Sequence, residues 1–398
     1  MDPLIKARSG QPLRASEAQD LALDLFVVGY EGDAVPEAYA EELRRGLAGV
    51  ILFRRNLHYD VAGTVDVDHV CALTAHIHEL GNAQPGGLPV LCSVDQEGGA
   101  VARLRAPFTL FPPMRRLGET DDLTLLADVG RQLGRELAAA GFNVDYAPVL
   151  DVDTNPANPI IGDRAFARHA EAVAVRARAL LRAMQAEGVV GCGKHFPGHG
   201  DTDTDSHLDL PVLRHDLDRL KAIELVPFQR LAHDLRLVMT AHVLFPAVDP
   251  KLPATLAPEI LGPLLRVHCG YQGVVVSDDL EMQGIAKVFE PGPCVVQGLA
   301  AGVDLFLVCR RRDVWDRARA AAADVLAGMH GPAAQARAVD AIDRVRQLRR
   351  GLVSNRPDAG RLRAIFADPH TERLRARLAA GTLAAAPVAP RPTVGETQ

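Results

Sequence analysis

The sequence lacks a Cys-x-x-Cys pair among its six cysteines, so the usual spacing of a structural zinc site or a redox dithiol is missing. Several of the cysteines lie in or beside apolar runs. We interpret them all as small hydrophobic residues in a reducing compartment, rather than as disulfides or metal ligands. The cytoplasm is therefore the expected location. The set is Cys71, Cys92, Cys192, Cys269, Cys294 and Cys309.

The sequence also lacks an excess of basic residues, long apolar runs and a recognisable leader. Its 44 Lys and Arg residues are outnumbered by 50 Asp and Glu residues, and the net charge is −6, so we expect no nucleic-acid partner. The longest apolar runs, such as LFVVGY and GVVVS, are far shorter than the ~20 residues that cross a bilayer, so we expect no membrane association. The N-terminal stretch MDPLIKARSG carries charges of both signs before any apolar segment, which argues against a secretory signal.

Short apolar runs alternate with amphipathic patterns along most of the chain. In one such pattern Leu125, Val129, Leu133 and Leu137 recur on one face of a predicted helix. Near-continuous apolar strands separated by helices indicate a parallel sheet covered on both faces. Eight strands fit a (β/α)8 TIM-type barrel of the α/β class. The runs are 25–30, 49–53, 89–95, 142–151, 189–196, 235–242, 273–279 and 303–308.

An open, doubly wound sheet is the competing architecture. No G-x-G-x-x-G follows the first predicted strand, which argues against a dinucleotide fold. Polar residues also cluster at the C-terminal ends of many predicted strands, and a barrel gathers such ends around one mouth. These residues are Asp95, Asp145, Lys194, His195, His242, Asp278 and Asp279.

The composition changes after the last predicted strand. Helical patterns are predicted over 312–329 and 333–350, followed by a break and a short basic helix over 359–380. The remaining residues read as a disordered tail. We therefore predict a single barrel domain over 1–350 and a helical or disordered C-terminal extension over 351–398.

Four sequence blocks resemble signatures of glycoside hydrolase family 3, and more narrowly of its single-barrel β-N-acetylglucosaminidases of bacterial peptidoglycan recycling. The resemblance covers roughly residues 25–350. It implies a retaining exo-β-N-acetylglucosaminidase that needs no metal or other cofactor. It further implies a substrate that is a small carbohydrate or a muropeptide, and we expect the protein to be a monomer. The blocks are VDQEGG (94–99), NPIIGDRAF (158–166), KHFPGHGDTDTDSH (194–207) and VVVSDDLEM (274–282).

The resemblance assigns the catalytic nucleophile to Asp278, at the end of the seventh predicted strand. A retaining glycosidase needs a carboxylate that forms a covalent glycosyl-enzyme intermediate. Strand alternation predicts that the neighbouring Asp279 points elsewhere and serves the structure. Either aspartate could instead cap a helix that follows the strand.

The resemblance assigns the acid/base role to His207, paired with Asp205. A histidine titrates near neutrality, so it can protonate a leaving oxygen and later deprotonate water. A neighbouring carboxylate can fix its tautomer and stabilise the imidazolium. For His199 we expect a loop-shaping role, and for His242 either a contact near the substrate or a satisfied place in the core.

The resemblance assigns the binding of the non-reducing sugar to five side chains. Such side chains can hydrogen-bond the sugar hydroxyls or bind a polar substituent. The sequence departs from the family pattern at Ala100, where many relatives have arginine, and at Asp163 and Ala165, where relatives commonly read Glu and Ser. The loop around residue 164 is therefore where substrate preference can differ. The five side chains are Asp95, Arg103, Arg164, Lys194 and His195.

Other functions remain open at this stage. A metal-dependent barrel hydrolase would fit histidines and aspartates at strand ends, but the chain has no H-E-x-x-H and no H-x-H on its first strand, and Lys194 would repel a neighbouring cation. A β-glucosidase or a glycoside phosphorylase of the same family is a second possibility. A sugar-binding module without activity is a third.

Overall fold

Eight parallel strands close into a barrel in the computed structural model, which describes residues 3–203, 209–353 and 356–380. Each strand pairs with the next, and the first pairs with the last in register, with Phe26 opposite Phe306. The predicted (β/α)8 barrel is therefore confirmed. The barrel strands are β1 (Phe26–Val28), β2 (Gly49–Leu52), β3 (Leu91–Val94), β4 (Val144–Asp145), β5 (Val190–Phe196), β6 (Leu237–Thr240), β7 (Val274–Asp279) and β8 (Leu305–Val308).

Helices surround the barrel. They are α1 (Pro3–Arg8), α2 (Ala15–Ala22), α3 (Glu37–Arg45), α4 (Val67–Asn82), α5 (Met114–Glu119), α6 (Leu123–Ala139), α7 (Ala170–Ala186), α8 (Leu217–Arg219), α9 (Val226–Leu231), α10 (Gln283–Ala286), α11 (Pro291–Ala301), α12 (Arg312–Leu326), α13 (Pro332–Arg350), α14 (Ala359–Phe366) and α15 (Pro369–Ala379). Wider helical turns occur at Leu220–Glu224 and Ile260–His268.

The barrel encloses a packed apolar core rather than a channel. Side chains from all eight strands meet inside it, among them Val27 of β1, Ile51 of β2 and Leu307 of β8. A larger apolar layer lies between the strands and the helices. Burial on both faces explains why the strands are near-continuous apolar runs in the sequence.

Helix α13 covers the N-terminal end of the barrel. Its Val345 and Leu348 join the interior cluster. Its Arg349 is fully buried and donates to Asp24 at 2.9 Å and to the Pro89 carbonyl at 2.9 Å. The N-terminal end of the barrel is therefore closed by apolar packing and a buried ion pair, and the candidate functional residues lie at the opposite end.

Two predicted elements differ from the structure. The fourth predicted strand, 142–151, is a regular strand only at Val144–Asp145, and a single bridge from Val149 to Lys194 follows Pro148, which has no N–H to donate to a ladder. The single helix predicted over 359–380 is two helices, because Asp368 caps a new helix that begins at Pro369. The predicted tail after 380 lies outside the described residues.

Candidate active site

A cavity of about 730 Å³ opens at the C-terminal ends of the strands. Loops that follow β3, β4, β5, β7 and β8 supply its polar lining. Because parallel strands end at one rim of the barrel, residues far apart in sequence meet there. The polar residues that line it include Asp95, Glu97, Arg103, Arg164, Lys194, His195, His199, Asp278, Asp279 and Glu281.

A hairpin after β3, formed by Gln96–Gly98 and Val101–Ala102, presents three of these residues. The side chain of Gln96 fixes the hairpin, since its Oε1 accepts from the N–H groups of Arg103 and Leu104 at 2.8 and 2.9 Å. The Arg103 guanidinium then lies 3.8 Å from Asp95 Oδ2. The replacement of the family arginine by Ala100 leaves Arg103 in the cavity wall.

Lys194 and Arg164 share one buried carboxylate, Glu97. Lys194 Nζ lies 2.6 Å from Glu97 Oε1 and 2.9 Å from Asp95 Oδ1. Arg164 donates to both Glu97 oxygens, at 2.8 and 2.9 Å. Burial disfavours charge on Glu97, yet the two cations outweigh it and hold its pKa well below the usual value. Glu97, Arg164 and Lys194 therefore keep their charges across the neutral range.

His195 is oriented by Asp151, a buried carboxylate that follows β4. Its Nδ1 lies 2.7 Å from Asp151 Oδ2, which leaves Nε2 as the ring nitrogen available to a ligand. Asp151 Oδ1 accepts from the His199 backbone N–H at 2.7 Å. Burial opposes the charge of Asp151, but His195 and His199 lower its pKa. Asp151 thus joins the start of the KHFPGHG loop to the barrel.

Asp278 ends β7 half-buried in the cavity wall. Its Oδ1 accepts from the backbone N–H of Asp279 at 2.8 Å. Asp279 also borders the cavity, but its own Oδ1 accepts from the N–H groups of Glu281 and Cys309, which agrees with the structural role predicted for it. Neither aspartate caps a helix, because the next helix, α10, has Met282 at its N-cap.

The barrel brings most of the predicted site residues together: Asp95, Arg103, Arg164, Lys194, His195 and Asp278. The predicted acid/base pair, His207 and Asp205, lies outside the described residues. Their assigned roles, like those of the six gathered side chains, remain predictions.

The two histidines without an assigned role take different places. His199 borders the cavity, and its Nδ1 lies 2.8 Å from Thr202 Oγ1, a contact that shapes the loop. Burial and the nearby His195 lower the pKa of His199 to about 4. His242 is buried between Thr255 Oγ1 and the Asp279 carbonyl, at 2.8 and 3.0 Å, so it occupies the satisfied core position.

Sequence reasoning missed three carboxylates of the site. Glu97 lies inside the VDQEGG block, Asp151 is the last residue of the fourth predicted strand, and Glu281 belongs to SDDLEM. Each could have been suspected from its place at a strand end. Their pairing with Lys194, His195 and the backbone depends on loop geometry that spacing does not reveal.

Within residues 3–203, 209–353 and 356–380, no group of three or more His, Cys, Asp or Glu side chains is arranged to hold a metal ion. No helix in that part of the chain combines the length and the apolar character needed to cross a bilayer.

Comparisons with known proteins identify relatives over most of the chain. Residues 25–348 match the family model described as the glycosyl hydrolase family 3 N-terminal domain. A β-hexosaminidase of Chromobacterium violaceum is 40% identical over 305 residues, which are 75% of this chain and 82% of the relative. A β-hexosaminidase of Pseudomonas aeruginosa is 38% identical over 267 residues, 67% of this chain and 76% of that protein.

Solved structures show the same architecture. NagZ of Neisseria gonorrhoeae, crystallised with N-trifluoroacetyl-D-glucosamine, superposes with a TM-score of 0.70 at 31% identity, covering 88% of this chain and 96% of that one. A family 3 β-N-acetylglucosaminidase of Paenibacillus gives a TM-score of 0.77 at 36% identity, covering 89% of this chain and 68% of that one.

Proposed function

This chain belongs to glycoside hydrolase family 3, and from that membership we propose that it is a retaining exo-β-N-acetylglucosaminidase. It would release terminal, non-reducing β-linked N-acetylglucosamine through a covalent intermediate on Asp278. The names of the relatives, β-hexosaminidase and β-N-acetylglucosaminidase, support the choice of sugar.

The single observation that carries the proposal is the shared cavity. The carboxylate at the end of β7 opens into the same space as the buried charged cluster of Asp95, Lys194 and Arg164. Such a cluster offers fixed donors and acceptors to sugar hydroxyls, and we assign attack at C1 to the carboxylate of Asp278. The buried inner wall and the exposed Arg310 and Arg311 at the rim support a pocket that takes the end of a chain.

In the first step, a carboxylate oxygen of Asp278 bonds to C1 while the C1–oxygen bond to the leaving group breaks. His207, held by Asp205, gives its proton to that oxygen. The sugar is held by Asp95, Arg103, Arg164, Lys194 and His195, which bind and orient it without taking part in bond changes.

In the second step, His207 takes a proton from water, and the water oxygen bonds to C1 as the ester to Asp278 breaks. Free sugar and the starting enzyme result, so no cofactor is consumed.

A His207→Ala variant should lose the limb of the pH–rate profile near neutrality. An Asp205→Ala variant should lose less activity than His207→Ala does, because the aspartate acts only through the histidine.

The finer aspects of the proposal concern the substrate and its setting. We infer a muropeptide or a similar small carbohydrate as substrate, in peptidoglycan recycling in the cytoplasm, with a monomeric enzyme. We also propose a barrel unit over 1–350 with 351–398 as an extension. In support of a close association between the two, Asp368 in the extension pairs with Arg135 of α6 at 2.8 Å.

The test is an activity panel on the full chain. Aryl β-N-acetylglucosaminide should be cleaved much faster than aryl β-glucoside, because the site is proposed to bind the acetamido group. Exhaustive chelation should leave the rate unchanged, and added phosphate should not divert the product to a sugar phosphate. Preference for glucoside, loss of activity on chelation, or formation of a sugar phosphate would each contradict the proposal.

A further inference from the structure

The turn that follows Asp278 is fastened to the chain before α12. Asp279 Oδ1 accepts from the Cys309 N–H at 3.2 Å. Glu281 accepts from the N–H groups of Arg310 and Arg311 at 2.6 and 2.8 Å, one on each carboxylate oxygen. Two carboxylates therefore bind three consecutive backbone N–H groups.

These N–H groups lead into α12: Arg311 is the N-cap of this helix, and residues 309 and 310 lie before it. The N-cap residue of α12, Arg311, makes no side-chain capping bond. Asp279 and Glu281 accept from the backbone that leads into this helix, and the partial positive charge at a helix start favours nearby carboxylates. The fold thus joins the turn after β7 to the segment that precedes a 15-residue helix.

The fastened turn reaches the nucleophile through the backbone of Asp279. The N–H of Asp279 donates to Asp278 Oδ1 at 2.8 Å, and the carbonyl of Asp279 accepts from His242 Nε2 at 3.0 Å. A shift of the turn would therefore move a backbone donor that is hydrogen-bonded to this oxygen of Asp278.

We propose that Asp279 and Glu281 are positioning residues for the nucleophile: by binding the N–H groups of residues 309–311, they hold the turn so that the Asp279 N–H orients the Asp278 carboxylate. The second carboxylate oxygen of Asp278 then faces C1. This inference rests on the proposed function, in which Asp278 attacks the sugar.

The charges around the turn agree with this role. Burial, with repulsion from Glu281 and Asp278, raises the pKa of Asp279 to about 8, and burial raises the pKa of Glu281 as well. At neutral pH the Asp279–Glu281 pair therefore retains a proton, which reduces the negative charge beside Asp278. The other charged or titratable groups that face the turn are His242, Cys309, Arg55, Arg310 and Arg311.

The experiment compares Glu281→Gln with Asp313→Asn in the full chain. Glutamine keeps one oxygen but turns an NH2 group toward the N–H of Arg310 or Arg311. Asp313 lies in the first turn of α12, is half exposed and pairs with the side chains of Arg311 and Arg317, so it is a matched control for charge at the helix start. The readouts are kcat and KM on an aryl N-acetylglucosaminide, and the rate constant for inactivation by a 5-fluoro-N-acetylglucosaminyl donor at saturation.

We expect kcat and the inactivation rate constant of Glu281→Gln to fall on the order of 10-fold, below the ~100-fold cost of a 1 Å misplacement, while KM changes little. Asp313→Asn should match wild type. Active-site titration with the same donor corrects for misfolded protein. If Glu281→Gln does not fold, Asp279→Asn decides by the same readouts.

Equal kcat in wild type and Glu281→Gln would overturn the positioning role, as would equal losses in Glu281→Gln and Asp313→Asn, or a rise in KM alone. An inactive wild type would instead count against the proposed function, so the two failures are distinguishable.

Discussion

Two sides of the same cavity bind their carboxylates in opposite ways. On the β3–β5 side, Glu97 lies between the cationic side chains of Lys194 and Arg164. On the β7–β8 side, Asp279 and Glu281 are held by backbone N–H groups. The pKa of Glu97 is lowered and the pKa of Asp279 is raised to about 8, although both groups are desolvated. Full positive charges outweigh desolvation, whereas backbone dipoles beside neighbouring carboxylates do not.

The difference suits two tasks. Sugar binding requires donors and acceptors whose charge does not change with small shifts of pH, and an alternating cluster of charges supplies them. Attack at C1 requires an ionised carboxylate, and a proton retained by the Asp279–Glu281 pair reduces the negative charge beside Asp278. The comparison predicts that the two sides respond differently to substitution.

The largest expected effect is on the nucleophile side. Asp278→Ala removes the group proposed to bond to C1, so kcat should fall by ~10⁴-fold or more. The melting temperature should change little, since Asp278 is only half-buried. Steady-state kinetics with thermal unfolding checks both. Turnover close to wild type would remove Asp278 from the reaction.

The next largest effect is expected on the β3–β5 side, which is proposed to bind the sugar, and it is a loss of stability. Glu97→Gln leaves two buried cations without their carboxylate, so the free energy of unfolding should fall by about 3–5 kcal/mol. The matched control is Glu171→Gln, because Glu171 also binds an arginine, Arg230, through both oxygens but on the surface. Glu171→Gln should lower the free energy of unfolding by only ~0–1 kcal/mol. Urea titration measures both, and equal costs would contradict the importance of burial.

The smallest effect is a pH dependence on the β7–β8 side. In the unfolded chain Asp279 ionises near pH ~4, so the folded protein holds an extra proton between there and about pH 8. The contribution of Asp279 to the free energy of unfolding is fully present at low pH and is lost as the pH rises through that window. The difference in unfolding free energy between wild type and Asp279→Asn should therefore shrink from about pH 5 to about pH 8. A constant difference in urea titrations would contradict a raised pKa.

Much of the barrel could be predicted from the sequence, because strands buried on both faces must be apolar and barrel strands share one rim. Lys194 stood out for the same reason, since a lysine in an apolar strand requires a partner. Its partner Glu97 did not stand out in the sequence, because the direction of a side chain in the hairpin is fixed by the Gln96 contacts rather than by spacing.

The anchoring of the nucleophile turn was also beyond the sequence. Glu281 follows Asp278 by three residues, which suggests proximity, but its contacts lie at residues 310 and 311, on the far side of β8 in the chain. Nothing in the local pattern indicates that the segment before α12 donates its N–H groups to carboxylates of another loop. Such pairings depend on how strands are ordered around the barrel.

The most direct measurement is mass spectrometry of wild-type protein incubated with a 5-fluoro-N-acetylglucosaminyl donor, followed by peptide mapping. A covalent retaining mechanism predicts one sugar per chain, attached to Asp278 itself when the labelled peptide is sequenced by fragmentation, and no adduct on Asp278→Ala. Attachment at another carboxylate, such as Asp95 or Glu281, or catalytic turnover of the unmodified substrate without any trappable adduct, would contradict it.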